Sequence, residues 1–218
     1  MFQPSRFALP AAALALLIAA APLQGPLQAQ TPVTTAPAGT YALDVTHSSV
    51  TFQVSHLGLS AYVANFGKLS GELSFDPANP SAMRVTAGID PTSMLLPAPP
   101  AGFLQKLLGK DWLDAGAHPM ITFRSTGVTV TGPKTADVAG DLTIKGVTKP
   151  VVLKATFNGG WAANAMGGPK VGFSAVTTFK RSDFGVTASL PPRGTSFGVG
   201  DEVKVQIETE WSAAAPKG

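Results

Sequence analysis

From Tyr41 onward, apolar and polar positions alternate along the chain with a period of two. Ser49–Ser55 puts Val50, Phe52 and Val54 on one face and Thr51 and Gln53 on the other. Leu69–Phe75 and Val85–Ile89 repeat the pattern, followed by Ile121/Phe123, Val138/Gly140/Leu142/Ile144, Val151/Leu153/Ala155/Phe157 and Val171/Phe173/Ala175/Thr177/Phe179. The cleanest run sets Val203, Val205, Ile207 and Trp211 against Lys204, Gln206, Glu208 and Glu210. Such alternation predicts strands with one buried face and one wet face, hence antiparallel pairing. Many strands at short spacing, separated by Gly, Pro, Asn and Asp, indicate an all-β sandwich or barrel. Turns are expected at Asp76–Pro80, Gly132–Lys134 and Asn158–Gly160. One segment breaks the rhythm: Pro99-Pro100 leads into Ala101–Leu108, with Leu104, Leu107 and Leu108 at helical spacing. Proline favours a helix start, so one short amphipathic helix is expected there. The chain reads as one domain without internal repeats.

The N-terminal residues follow a different pattern. A basic start through Arg6 precedes the apolar run Phe7–Pro22, which Pro10 and Pro22 crowd below the ~20 residues of a membrane-spanning helix. This predicts a secretory signal over residues 1–29, cut after Ala29, and a periplasmic or secreted protein without stable membrane insertion. Residues 30–40 are polar and Pro-containing and are expected to form a flexible tether; the barrel would occupy 41–212, and 213–218 a disordered tail.

Charge and composition then narrow the function classes. Sixteen basic and thirteen acidic residues give a net charge of +3, dispersed along the chain, which argues against nucleic acid as partner. There is no Cys, which excludes disulfides, thiol chemistry, cysteine metal sites and a lipid-modified cysteine. The three histidines, His47, His56 and His118, match no metal-ligand spacing and are expected as hydrogen-bonded groups at strand ends. No Gly-x-Ser-x-Gly elbow is present, and Ser48 beside His47 would point to the opposite side of a strand. Asp111 and Asp114 are assigned to turn and cap chemistry rather than to a catalytic pair. Arg181-Ser-Asp183 could bind an anion or form an Arg–Asp pair closing the barrel end. No catalytic residue, metal or cofactor is assigned. Twelve Phe, two Tyr and three Trp remain, with Phe52, Phe66, Phe75, Phe123, Phe157, Phe173, Phe179 and Trp211 mostly in the inward set. A barrel of about eight strands can either be filled by such side chains or hold one small ligand.

Several blocks, in order, carry a resemblance: Tyr41-Ala-Leu-Asp-Val-Thr-His-Ser48 with Val54-Ser-His-Leu-Gly58, then Asn65-Phe-Gly-Lys-Leu-Ser-Gly71. Leu107–Asp114 with Pro119–Ser125, Gly140–Pro150, Arg181-Ser-Asp-Phe-Gly185 and Val199–Val203 complete the set. From Tyr41 to Trp211 the chain resembles the YceI-like family of lipocalin-like, polyisoprenoid-binding proteins. The resemblance implies an antiparallel, eight-stranded lipocalin-like barrel with one short helix and an apolar tunnel for an isoprenoid lipid or quinone, without catalysis; it leaves room for a homodimer. On that reading the ligand is walled by Phe52, Phe66, Phe75, Trp112, Phe123, Leu142, Phe173, Phe179 and Phe184, with His47, Arg181 and Asp183 at the mouth for a head group. Two rivals stand beside it: an enzyme acting on such a lipid, and a solidly packed barrel serving as a protein-interaction module. The chain departs from the family pattern at Lys106, commonly His, at His118, commonly Tyr, and in a longer Leu190–Phe197 loop.

Overall fold

The computed structural model describes residues 34–213. The expected signal over 1–29 and tail beyond Ala213 lie outside the described residues. Ten strands follow in chain order: β1 (Gly39–His56), β2 (Ser60–Phe66), β3 (Leu69–Phe75), β4 (Arg84–Ile89), β5 (Met94–Leu95), β6 (Ile121–Val130), β7 (Thr135–Ile144), β8 (Val147–Trp161), β9 (Lys170–Lys180) and β10 (Val199–Ala213). One helix, α1 (Phe103–Leu108), sits between β5 and β6, where the Leu spacing places it.

All pairings are antiparallel, and β10 returns to pair with β1, closing the sheet. The closed ring has eight rungs, because two rungs are bent strands. The N-terminal part of β1 pairs with β3 and its C-terminal part with β2, so β2 and β3 form one rung kinked at Gly67-Lys68. The neighbouring rung, β4 with β5, kinks at the single turn Pro91–Ser93. The kinks are stitched together: Gly67 N donates to Ser93 O (3.0 Å) and Asp90 N to Lys68 O (3.1 Å). Backbone groups freed by one bend are thus satisfied by the other.

The β7–β8 hairpin turns on Lys145 and Gly146, both at positive φ (51° and 74°), the geometry of a two-residue turn matching strand twist. The His118 ring packs where a Gly146 side chain would stand, 2.6 Å from an ideal Cβ. The β6–β7 connection falls at Gly132–Lys134, as the sequence predicts.

Two expectations need correction. Asn158–Gly160 is not a turn: β8 runs through it to Trp161, with a bulge between Phe157 and Gly159. Gly160 is there for proximity, since a Cβ would lie 3.0 Å from Thr34 Oγ1 and 2.8 Å from Val171. The described part of the presumed tether is docked, with Ala36 only 3% exposed and β1 already under way at Gly39. Thr34 Oγ1 donates to Gly160 O (3.0 Å), Ala162 N to Thr35 Oγ1 (3.1 Å), and the Tyr41 hydroxyl to Pro37 O (2.7 Å).

Two buried clusters sit at opposite ends of the barrel. One gathers Ala36, Tyr41, Leu73, Phe75, Phe157, Val171 and Trp211. The other gathers Ile121, Ile144, Phe184 and Val186, with Phe66, Trp112, Leu113, Leu142 and Phe179 packed against it. Each large apolar side chain so buried stabilises the fold by ~1.5–3 kcal/mol.

Candidate functional site

Between the end clusters the barrel is hollow. Phe52, Val138, Leu153, Val205 and Ile207 point inward yet remain partly exposed, whereas Tyr41 and Val171 at the end are 0% and 1% exposed. The space they border is a cavity of about 640 Å³ walled almost wholly by apolar side chains. Native interiors pack nearly as densely as organic crystals, so a void of this size is a feature of the barrel rather than a packing fault. Strand alternation builds its wall: Val50, Phe52 and Val54 on β1 stand opposite Ile207, Val205 and Val203 on β10.

Phe52, Phe66, Phe75, Trp112 and Phe123 all border the cavity. So do Leu142, Phe173, Phe179 and Phe184. They divide by role. Phe75 stacks on Phe157 (6.0 Å between centroids) and Phe157 contacts Phe173 (5.2 Å), sealing one end. Phe184 meets Phe179 edge-on at 5.2 Å and seals the other. Phe52 and Phe66, 5.5 Å apart, face the hollow middle. Phe103 and Leu107 of α1 join the wall, which the Leu-based helical stripe captured only in part.

The three polar mouth residues behave differently from expectation. His47 is outside the cavity wall, on an exposed bulge of β1 between Asp44 and Ser49 where the register with β10 shifts. Its Nδ1 lies 3.1 Å from Asp44 and 3.9 Å from Glu210. Asp44, His47 and Glu210 have the composition of a metal-binding group, but Lys170 Nζ lies against both carboxylates, at 2.8 Å from Asp44 and 3.5 Å from Glu210. The Lys170 hydrogen bond, with those of Thr46 and His47, holds the Asp44 carboxyl well below the usual carboxylate range, and Asp44 in turn raises Lys170.

Asp183 is exposed and also outside the wall. The Arg181–Asp183 pair does not form. The buried Arg181 (6% exposed) instead donates to four backbone carbonyls: Nε to Gly200 (2.8 Å), NH1 to Val186 (2.8 Å) and Ala188 (2.9 Å), NH2 to Val199 (2.7 Å). Its guanidinium lies 5.2 Å over the Trp112 ring. Burial lowers its pKa and the charge of Asp201 offsets this. Asp201, given no role in the sequence reading, accepts from Ser182 N (2.9 Å) and Ser182 Oγ (2.8 Å). Arg181 is thus a clamp that ties the long loop to the start of β10, and its side chain borders the cavity. The turn at Asp114 works through its backbone, with φ at 47° and its carbonyl accepting from His118 N (2.9 Å).

Sequence reasoning missed other parts of the cavity wall: His56, Tyr62 and the Pro97–Pro100 segment, and Pro80, Met83, Arg84, Val130 and Lys134. Only the prolines gave a local signal. Among the described residues no helix is long and apolar enough to cross a membrane.

Comparison with known proteins accords with this geometry. A family model described as YceI-like domain matches residues 41–211. A UPF0312 protein of Pseudomonas savastanoi pv. phaseolicola is 40% identical over 149 residues, covering 68% of this chain and 76% of that one. Among solved structures, Burkholderia cenocepacia BcnA superimposes with a TM-score of 0.65 at 28% identity, over 77% of this chain and 98% of that one. A polyisoprenoid binding domain from Saccharophagus degradans has the same fold, with a TM-score of 0.59 at 15% identity over 80% of this chain and 98% of that one.

Proposed function

The chain belongs to the YceI-like family, and on that premise we propose that it is a non-catalytic carrier that holds a long isoprenoid-type lipid, a quinone or polyprenyl chain, inside its barrel. One observation carries the reading: the inward faces of the strands enclose an apolar cavity of about 640 Å³ rather than a filled core. Flexible apolar tails are recognised by area, at roughly 25 cal/mol for each Å² removed from water, and such a wall supplies that without directional contacts. The Saccharophagus domain of like fold is named for polyisoprenoid binding, which supports the same ligand class. The wall offers no convergent acid–base pair of the kind catalysis on a lipid would need. The basic start and apolar run of residues 1–29 further support export to the periplasm or beyond, for transport, storage or protection of the lipid.

Native mass spectrometry tests this. Protein recovered from the periplasm should begin at Gln30 and carry one extractable lipid, and the delipidated protein should take up one polyprenol per chain. Uptake of no prenyl chain or quinone would overturn the carrier reading, and a species retaining Met1 would overturn the proposed cleavage.

A further inference from the structure

The barrel wall has a lateral window, and its rim is basic. Strands β4 and β6 pair only where Thr86–Ile89 meet Ile121–Arg124. Beyond Arg124, β6 continues to Val130 with β7 on one side, while β4 ends at Arg84. On its other side β6 has the single turn Pro80–Ala82 rather than a strand. Ser125 Oγ, accepting from Val85 N at 2.9 Å, is the last link before the gap. The cavity is bordered on both sides of this break, by Pro80, Met83 and Arg84 on one and by Val128, Val130 and Lys134 on the other. The break in strand pairing therefore lies over the hollow of the barrel, with only the Pro80–Ala82 turn beside β6 there.

Arg84 and Lys134 are exposed at this rim. The ion pairs among the described residues engage Lys68, Lys154, Lys170 and His47 instead. Nearby carboxylates are occupied elsewhere. Asp76, in the turn leading to Pro80, accepts from Ala78 N (3.0 Å) and Asn79 N (3.1 Å) and does not border the cavity. Asp137 accepts from Lys154 at 2.6 Å. Arg84 is pinned at the rim by its own backbone, NH1 donating to Ser81 O (3.1 Å) and Met83 O (2.7 Å). The opposite end of the cavity wall carries His56, Tyr62 and prolines, without a comparable pair of exposed cations.

We propose that the lipid's head group sits in this window, and that Arg84 and Lys134 select an anionic head, a phosphate or diphosphate ester, over a neutral one. The inference rests on the lipid-carrier reading and adds to it the head-group chemistry and the place of entry. The apolar wall gains equally from any prenyl tail, so discrimination between ligands of one chain length falls to the rim. Two cations beside a low-dielectric cavity, one of them held in place by its own backbone, attract a phosphate dianion and do little for an alcohol.

The test measures binding of polyprenyl phosphate and of polyprenol of the same chain length to the delipidated protein. Wild type should prefer the phosphate by on the order of tenfold, with the preference shrinking as salt screens the rim. The double variant Arg84→Glu/Lys134→Glu should lose that preference while binding polyprenol as wild type does, which also shows that the barrel is intact. The control Lys149→Glu/Lys204→Glu, with the same charge change on exposed positions away from the cavity, should keep it. Equal wild-type binding of the two ligands would overturn the head-group assignment and leave the carrier reading standing, as would a double variant that weakens both alike. Failure of wild type to bind either ligand would overturn both readings.

Discussion

Replacing Val205 by Trp should abolish room for a long lipid while leaving the barrel's stability almost unchanged. Val205 points inward between Phe52 of β1 and Thr177 of β9, and it is only partly buried because the space in front of it is hollow. An indole placed there gains roughly 25 cal/mol for each Å² of apolar surface it shields and loses about 1 kcal/mol of rotamer freedom, so the two nearly cancel. The comparison is Val171→Trp, at a position 1% exposed in the end cluster with Tyr41, Phe157 and Trp211. Overpacking a filled core costs ~1–3 kcal/mol, and for a domain of this size each kcal/mol moves the melting temperature by about 2–4 °C. Calorimetry on delipidated protein should therefore show V205W melting within about 2 °C of wild type and V171W lower by about 2–12 °C. In a polyprenol titration V205W should lose affinity, with the loss steepest for the longest chains. If the two variants are destabilised alike and V205W binds long chains normally, the middle of the barrel is packed and the carrier argument fails.

Arg181→Met should cost about 3–5 kcal/mol in denaturant unfolding, because four carbonyls lose their shared donor at once; a loss under about 1 kcal/mol would show that water replaces the clamp. Asp44→Asn should destabilise by about 1 kcal/mol at neutral pH, since the pair with Lys170 is partly exposed. Asp44 titrates below its unfolded value, so its contribution is present above about pH 4 and lost as pH falls further. The gap between wild type and D44N should accordingly close in acid; a gap constant with pH would remove the electrostatic explanation. Tyr41→Phe should cost about 1 kcal/mol by leaving Pro37 O unpaired, and should speed hydrogen exchange at residues 34–42 ahead of the rest of β1; exchange unchanged there would mean that the segment is held without this bond, by Ala36 packing and the Thr34 and Thr35 hydrogen bonds.

How much of this is legible in the sequence depends on the range over which each feature is encoded. Strand identity is local, and alternation located nearly every rung, with the Pro-Pro-to-Leu segment marking α1. Parity along a rung is not local. In β1, Tyr41 and Leu43 face inward at odd positions and Val50, Phe52 and Val54 at even ones, because the bulge after Asp44 absorbs extra residues. That bulge puts His47 outside the barrel, although an unbroken strand would have carried it on. The same device lies between Ser125 and Gly127 in β6. Asn158-Gly-Gly160 reads as a turn because its local preferences are those of a turn; what overrides them is Thr34, more than a hundred residues away, which needs the bare backbone of Gly160.

The site divides along the same line. Its aromatic wall is legible, because each member belongs to an alternating strand or to the segment around α1. Whether that wall encloses a ligand or a core is not, since Phe52 in the hollow and Phe75 in the sealed end occupy equivalent places in their strands' patterns. The difference lies in how far the opposite wall stands, a property of the closed ring that no single strand encodes. Arg181 shows the limit most clearly. Its sequence neighbour Asp183 invited an ion pair, but an arginine carries five donors in a rigid fork, and a buried fork is best met by several acceptors at fixed angles. One carboxylate in a surface turn cannot supply them, whereas the carbonyls of Val186, Ala188, Val199 and Gly200, brought together by the long loop and the start of β10, can. With its charge committed to the backbone of the long loop and the start of β10, Arg181 cannot also serve as a freely moving head-group anchor, which is why the proposed head-group site falls to the exposed Arg84 and Lys134.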